Sequence, residues 1–150
     1  ISFRTFFFLS EQSYKTVEFI RLNELNGKIL APMEMGSYIA YKLYPQNLIY
    51  MDGRYEEVYY EETKKLEEDF YNIKENWQEI LLTKPDYIIV PEDASVNDLL
   101  MQRQEYKVIW KDERNWLYAI KPKLKPVYRV PTDNGIYYLK TAFERYKPNP

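Results

Sequence analysis

The chain contains no cysteine and no histidine. Without cysteine there is no disulfide, no thiol nucleophile and no cysteine zinc site, and this absence is compatible with either an oxidising or a reducing compartment. Without histidine the chain lacks the side chain that titrates near neutrality without help, so the usual triads, imidazole metal ligands and most general-base designs are excluded. We therefore expect no catalytic residue, no metal ion and no cofactor in this chain.

Glycine is also scarce, and the four glycines are spread over the whole chain at Gly27, Gly36, Gly53 and Gly135. A phosphate-cradling loop needs several glycines close together so that backbone amides can approach the anion. Dinucleotide-binding and P-loop fingerprints are therefore absent from the sequence.

An excess of positive charge and a long apolar run are the next two features that the sequence lacks. The 21 Lys and Arg residues are balanced by 23 Asp and Glu residues, so no basic field attracts phosphates, and we expect no nucleic-acid partner. No apolar run approaches the roughly 20 residues that a membrane-spanning helix needs. The chain starts at Ile1 without the layout of a signal peptide, so we expect one domain of a longer protein whose anchor lies elsewhere.

What the sequence does contain is an alternation of apolar runs and helical spacings. Lys28–Ala31, Leu48–Met51 and Asp86–Pro91 are short apolar runs, which are typical of strands buried on both faces of a parallel sheet. Helical spacings separate them, around Met35–Leu43 and over Tyr59–Ile73. Strands that alternate with helices predict right-handed crossovers and a mostly parallel sheet.

The second of these helices carries a run of charged residues between its apolar positions. They are Glu61, Glu62, Lys64, Lys65, Glu67 and Glu68. The simplest interpretation is that all six lie on the solvated face of the helix.

Two further patterns follow the third strand. Ser95 and Asp98 resemble a capping box that opens a helix. Tyr106–Trp110 and Trp116–Ile120 alternate between apolar and polar residues, which predicts an antiparallel hairpin. The predicted fold is thus a three-layer α/β/α sandwich with a mostly parallel sheet and an antiparallel hairpin at one edge.

We assign residues 1–122 to this α/β domain. Residues 123–150 are predicted to be a basic, proline-containing connector and a C-terminal helix that packs on the same domain. The apolar positions of that helix are Ile136, Leu139 and Phe143.

The candidate ligand-binding residues lie near the end of the second predicted strand. Open α/β sheets bind ligands at the carboxyl ends of their strands, and Asp52 follows such an end. We take Tyr38, Asp52, Arg54 and Glu56 as candidates for contact with a polar ligand. The alternative is structural, since Asp52-Gly53 is a common turn pair and an Asp52–Arg54 interaction would brace the loop.

This region resembles a known family of membrane proteins. The motifs are Gly36-Ser37-Tyr38-Ile39, Leu43-Tyr44-Pro45 and an apolar strand that ends in Asp52-Gly53-Arg54, and the resemblance covers about Val17 to Pro122. It is to the C-terminal soluble domains of bacterial multi-pass membrane proteins similar to lipid-linked-sugar glycosyltransferases of the GT-C, or PMT-like, class.

The resemblance implies that this domain and the membrane-embedded portion of a longer chain have different roles. Any transferase chemistry would belong to a carboxylate in the membrane-embedded portion, which would be the partner of this domain. The domain itself would be a non-catalytic accessory tethered at the extracytoplasmic face of the membrane. There it would shape acceptor access or recognise a carbohydrate, a lipid-linked sugar or a partner.

Two other functions are open at this point. The chain is an independent carboxylate-dependent hydrolase or transferase if Asp52 and Glu56 act as paired carboxylates. It is a stand-alone carbohydrate-binding module if its 16 tyrosines and 3 tryptophans present rings that stack on sugar faces. Packing in the core is the default explanation for most of those rings.

Overall fold

The computed structural model of the protein describes residues 14–49, 60–131 and 137–141. The first helix, α1, includes residues 14–22. In chain order the elements that follow are β1 (Gly27–Leu30), α2 (Met33–Leu43), β2 (Asn47–Ile49), α3 (Tyr60–Tyr71), a 3-10 helix (Glu79–Thr83), β3 (Tyr87–Pro91), α4 (Val96–Leu100), β4 (Tyr106–Lys111), β5 (Asn115–Ile120), a 3-10 turn (Lys121–Lys123), β6 (Val127–Pro131) and β7 (Tyr137–Thr141). None of the helices within these described ranges is long and apolar enough to cross a bilayer.

The main sheet is mixed rather than mostly parallel, so the predicted strand arrangement is wrong. Its five strands have the order β2-β1-β3-β5-β4, while β6 and β7 form a separate two-stranded sheet. β1 pairs in parallel with β2 and β3, but β5 pairs antiparallel with both β3 and β4. The reason is that β5, the second strand of the hairpin, pairs directly with the central strand β3. Antiparallel pairing therefore forms half of the sheet instead of a minor edge.

The layers also differ from a three-layer α/β/α sandwich. On one face, alternate strand residues such as Ile29 and Leu117 share a core with α1 and α2, but also with Tyr128 and Val130 of β6. Helices therefore do not cover this face alone, because part of the second sheet lies on it. On the other face, Ile88 and its neighbours pack against α3, the 3-10 helix Glu79–Thr83 and α4.

The predicted C-terminal helix is wrong over residues 137–141, the part of it that the structure describes. Tyr137–Thr141 is a strand, β7, that pairs antiparallel with β6, with Val127 opposite Thr141. Aromatic and β-branched residues such as Tyr137, Tyr138 and Thr141 favour strands, and pairing with β6 supplies the hydrogen bonds that a helix would otherwise form internally. The helical spacing of Ile136, Leu139 and Phe143 therefore does not predict the strand that Tyr137–Thr141 forms.

The connector before β6 is fixed to the body of the domain. The Asn23 side chain donates to the Arg129 carbonyl at 2.8 Å and accepts from the Arg129 N–H at 2.6 Å. The Lys125 N–H donates to the hydroxyl of Tyr128, whose side chain is fully buried. The two Asn23 bonds join the end of α1 to β6, and the Lys125 bond holds the connector against β6.

Gly27 allows β1 to approach the segment that leads into β3. Its φ of +151° is unfavourable for other residues, and a Cβ there would lie 2.9 Å from the Cβ and Cγ of Asp86. Asp86 Oδ2 accepts from the Lys28 N–H at 2.8 Å, and the Asp86 N–H donates to the Lys28 carbonyl at 2.9 Å. Glycine at position 27 is thus required for the close contact that aligns the two central parallel strands.

Candidate functional site

The connections of the parallel strands diverge at the centre of the sheet. β1 leads through α2 to β2, its neighbour on one side, and β2 leads through α3 to β3, the neighbour of β1 on the other side. Ile39 of α2 and Phe70 of α3 belong to different cores, so the two helices lie on opposite faces of the sheet. In open α/β sheets, ligands bind at such a reversal, outside the carboxyl ends of the strands. Here this point lies between β1 and β3.

A crevice of about 630 Å³ lies at this point. Its walls come from residues 32–34 just after β1, from residues 64–73 on and after α3, and from residues 91–95 at the end of β3. The volume is within the range that binds small molecules in proteins. The site is thus formed by the carboxyl ends of β1 and β3 together with α3, the helix that connects β2 to β3.

Glu67 of α3 is the most informative residue in the crevice wall. Its side chain is only 4% exposed, and its carboxyl accepts a hydrogen bond from the Met33 N–H at the start of α2. Pro32 at the N-cap of α2 provides no side-chain hydrogen bond, so Glu67 supplies one from a neighbouring helix. The other carboxyl oxygen, Oε2, has no hydrogen-bond partner among the residues that the structure describes.

The protonation of Glu67 follows from this environment. The pKa of the carboxyl is raised to about 8, chiefly by burial; the Met33 N–H opposes this rise, and the nearby carboxylates of Glu34 and Glu68 add to it. At neutral pH Glu67 is therefore mainly a neutral carboxylic acid. In that form Glu67 both donates and accepts hydrogen bonds.

Tyr71, one turn after Glu67, forms a rigid part of the wall. Its hydroxyl donates to the Ile89 carbonyl of β3 at 2.7 Å. Burial, followed by the charges of Glu67 and Glu34, raises the pKa of Tyr71 well above its ordinary value, so the phenol stays neutral. This bond holds α3 against the sheet beside the crevice.

The charged residues that line the crevice are mostly acidic. Glu34 comes from α2, Glu67 and Glu68 from α3, and Asp93 from the segment after β3. Lys64 is the one basic residue among the described lining residues. The crevice therefore favours ligands that donate hydrogen bonds or carry positive charge.

The sequence-predicted site residues do not gather in this crevice as far as the structure describes them. Tyr38 is 3% exposed and belongs to the core that α1 and α2 share, and it does not line the crevice. Burial raises its pKa, with smaller effects from Tyr14 and Glu18. Asp52, Arg54 and Glu56 lie outside the described residues.

Sequence reasoning missed Glu67 because it placed this residue on the solvated face of its helix. That interpretation is wrong, since Glu67 is buried. One signal was present: Glu67 follows Leu66 and precedes Phe70 by three residues, which places it at the border of the apolar stripe. A carboxylate at this border lies close enough to the sheet for the α2 terminus to cover it.

Most aromatic rings pack in the interior. Tyr87, Tyr118 and Tyr128 are buried, and Phe19 stacks on Trp110 with ring centroids 5.0 Å apart. Among the tyrosines whose side chains the structure describes, Tyr14, Tyr41 and Tyr44 are exposed. Packing is therefore the main role of the aromatic residues in the described part of the chain.

Among the described residues, no group of three or more carboxylate side chains is arranged to hold a metal ion. Comparison of the chain with protein-family models, with curated proteins and with solved structures gave no match.

Proposed function

We propose that this domain is a non-catalytic binding domain and that its ligand, a carbohydrate, binds in the crevice between the carboxyl ends of β1 and β3. The observation that supports this most strongly is the buried Glu67 carboxyl with its unpartnered Oε2. A buried polar atom without a partner costs about 1–3 kcal/mol, and a bound ligand would remove that cost. Unpaired buried groups of this kind favour a binding site over a purely structural wall.

A carbohydrate suits the chemistry of the crevice. Sugar hydroxyls both donate and accept hydrogen bonds, as does the neutral carboxyl of Glu67. Glu34, Asp93 and Ser95 add further oxygens to the lining. In the wider protein, we propose that the domain is tethered at the extracytoplasmic face of a membrane and assists a glycosyltransferase-like membrane portion by binding acceptor, sugar or partner.

Binding is tested on the ¹⁵N-labelled domain at neutral pH with a panel of neutral sugars, amino sugars and uronic acids. We expect amide shifts confined to residues 32–34, 64–73 and 91–95. Glu67→Ala removes both hydrogen-bonding functions and should weaken the binding of a neutral sugar at least tenfold. Glu67→Gln keeps a donor and an acceptor, so it should retain that binding within a few-fold.

Glu75→Gln is the matched control, because Glu75 is exposed in the turn after α3 and does not line the crevice. It should bind as the wild type does. If no member of the panel shifts the crevice amides, or if Glu67→Ala binds as tightly as Glu75→Gln, the proposed binding function is wrong.

The same carboxyl favours a carboxylate-dependent hydrolase as the second candidate. Glycoside hydrolases pair a proton-bearing carboxyl of raised pKa with an ionised carboxylate, and Glu67 shares the crevice with Glu34, Glu68 and Asp93. Incubation of the purified domain with aryl glycosides tests this. Turnover that Glu67→Gln abolishes and Glu75→Gln leaves unchanged would establish the hydrolase and contradict the non-catalytic proposal.

The membrane association has a separate test. The protein sequence encoded upstream of Ile1 should contain a series of apolar segments of about 20 residues each. A soluble enzyme domain at that position would instead contradict the proposed tethering, whatever the crevice binds.

A further inference from the structure

We infer that the ligand of this crevice carries a primary ammonium group that pairs with Oε2 of the ionised Glu67 carboxylate. The inference rests on the proposed function, because it names the chemical class of ligand for the same site.

The hydrogen bonding of Glu67 favours an ammonium over other cations. One carboxyl oxygen already accepts a hydrogen bond from the Met33 N–H. The other oxygen, Oε2, has no partner among the described residues. A guanidinium group binds best when it engages both oxygens of a carboxylate. An ammonium is a compact point charge that needs only one. A divalent metal ion would need several oxygen ligands, and the described residues provide no group of three.

The charges around Glu67 also favour a ligand with an ammonium group. Glu34 faces the crevice from α2, Lys64, Glu68 and Tyr71 face it from α3, and Asp93 faces it from the segment after β3. Glu34 and Glu68 both act on Glu67 by repulsion. A cation placed among these carboxylates relieves the repulsion and replaces part of the hydration that burial removed from Glu67.

Binding of an ammonium to Glu67 is coupled to the release of a proton. Burial keeps the Glu67 carboxyl mainly protonated at neutral pH when no cation is bound to it, whereas the ion pair requires the carboxylate. The ligand therefore gains affinity as pH rises toward the pKa of Glu67, by about tenfold per pH unit, as long as its amine stays protonated. A neutral sugar that hydrogen-bonds to the protonated carboxyl has the opposite or no dependence in that range.

The test compares 6-amino-6-deoxyglucose with glucose, its hydroxyl counterpart, by calorimetric titration of the domain. We expect the amine to bind at least tenfold more tightly than glucose at neutral pH. Titration in two buffers of different ionisation enthalpy should show the release of close to one proton for each amine bound. Glu67→Gln should abolish both the proton release and the preference for the amine, and Glu75→Gln should keep both.

The outcomes separate this inference from the proposed function. If glucose binds as tightly as the amine, or if the preference for the amine survives in Glu67→Gln, the ammonium inference is wrong while the binding function stands. If the amine does not bind and other sugars of the panel do, the ammonium inference is likewise wrong and the binding function stands. If Glu67→Gln is less well folded than the wild type, Glu34→Gln provides the second test, and it should reduce affinity for the amine more than for glucose.

Discussion

Replacement of Glu67 by glutamine should change how the stability of the domain depends on pH. Glutamine has nearly the same shape, and its side-chain oxygen still accepts the hydrogen bond from the Met33 N–H. The replacement therefore removes the ionisation of residue 67 and little else. Glu67 is 4% exposed, so solvent screens this effect weakly.

The size of the effect follows from the pKa of the buried carboxyl. Burial raises it from 4.5 to about 8 in the folded protein. Because one pH unit corresponds to about 1.4 kcal/mol, the folded state loses roughly 3 kcal/mol by pH 7 and roughly 5 kcal/mol above pH 8 through this group. These losses are a large fraction of the stability of a typical domain.

The direction of this pH dependence follows from the number of protons bound in the folded and unfolded states. Between pH 4.5 and about 8 the folded state holds a proton on Glu67 that the unfolded state has lost, so stability falls as pH rises. The contribution of Glu67 is fully present below pH 4.5 and does not change further above pH 8. Glutamine does not titrate, so the variant should lack this fall.

Urea unfolding followed by tryptophan fluorescence, at a series of pH values between about 5 and 9, measures the effect. We expect the free energy of unfolding of the wild type and of Glu75→Gln to decline by several kcal/mol across the series, while that of Glu67→Gln stays nearly level. Parallel curves for the wild type and Glu67→Gln would refute the argument, because Glu67 would then titrate alike in the folded and unfolded states.

Two further predictions concern the framework of the site. Gly27→Ala should destabilise the domain by more than about 2 kcal/mol because its Cβ meets Asp86, and a thermal-melt cycle with Asp86→Ala should recover part of the loss if that contact is the cause. Asn97→Ala should cost about 2–4 kcal/mol in urea unfolding, because Asn97 donates to the Pro91 carbonyl at 2.9 Å and accepts from the buried Tyr118 hydroxyl at 2.9 Å. A loss below about 0.5 kcal/mol would show that the Pro91 segment does not need this bond.

Local sequence patterns located most strands and correctly predicted the β4–β5 hairpin, but they did not predict that β5 pairs with β3. The apolar runs at Lys28–Ala31 and Asp86–Pro91 coincide closely with β1 and β3, and the alternating segments that start at Tyr106 and Trp116 coincide with β4 and β5. An apolar run does not specify the direction of its neighbour in a sheet. Pairing of β5 with β3 is set by tertiary packing, which no short window of sequence contains.

The candidate site was harder to predict, for a related reason. The general rule that ligands bind at the carboxyl ends of parallel strands led to Asp52, after the second predicted strand, whereas the crevice lies where β1 and β3 end. The burial of Glu67 depends on how α3 and the start of α2 meet in space. The capping-box prediction shows the same limit, because α4 begins at Val96 while the Ser95 side chain makes no cap hydrogen bond.

The contact between α1 and β6 determines where the chain can be truncated without loss of part of the core. Phe19 lies between Trp110 and Tyr128, with ring centroids 5.0 Å and 5.6 Å away. A fragment that stops at Pro122 would lose one side of this aromatic stack and leave Phe19 facing water. Recombinant versions should therefore extend past β6 and β7, since a shorter chain would have an incomplete core and a tendency to aggregate.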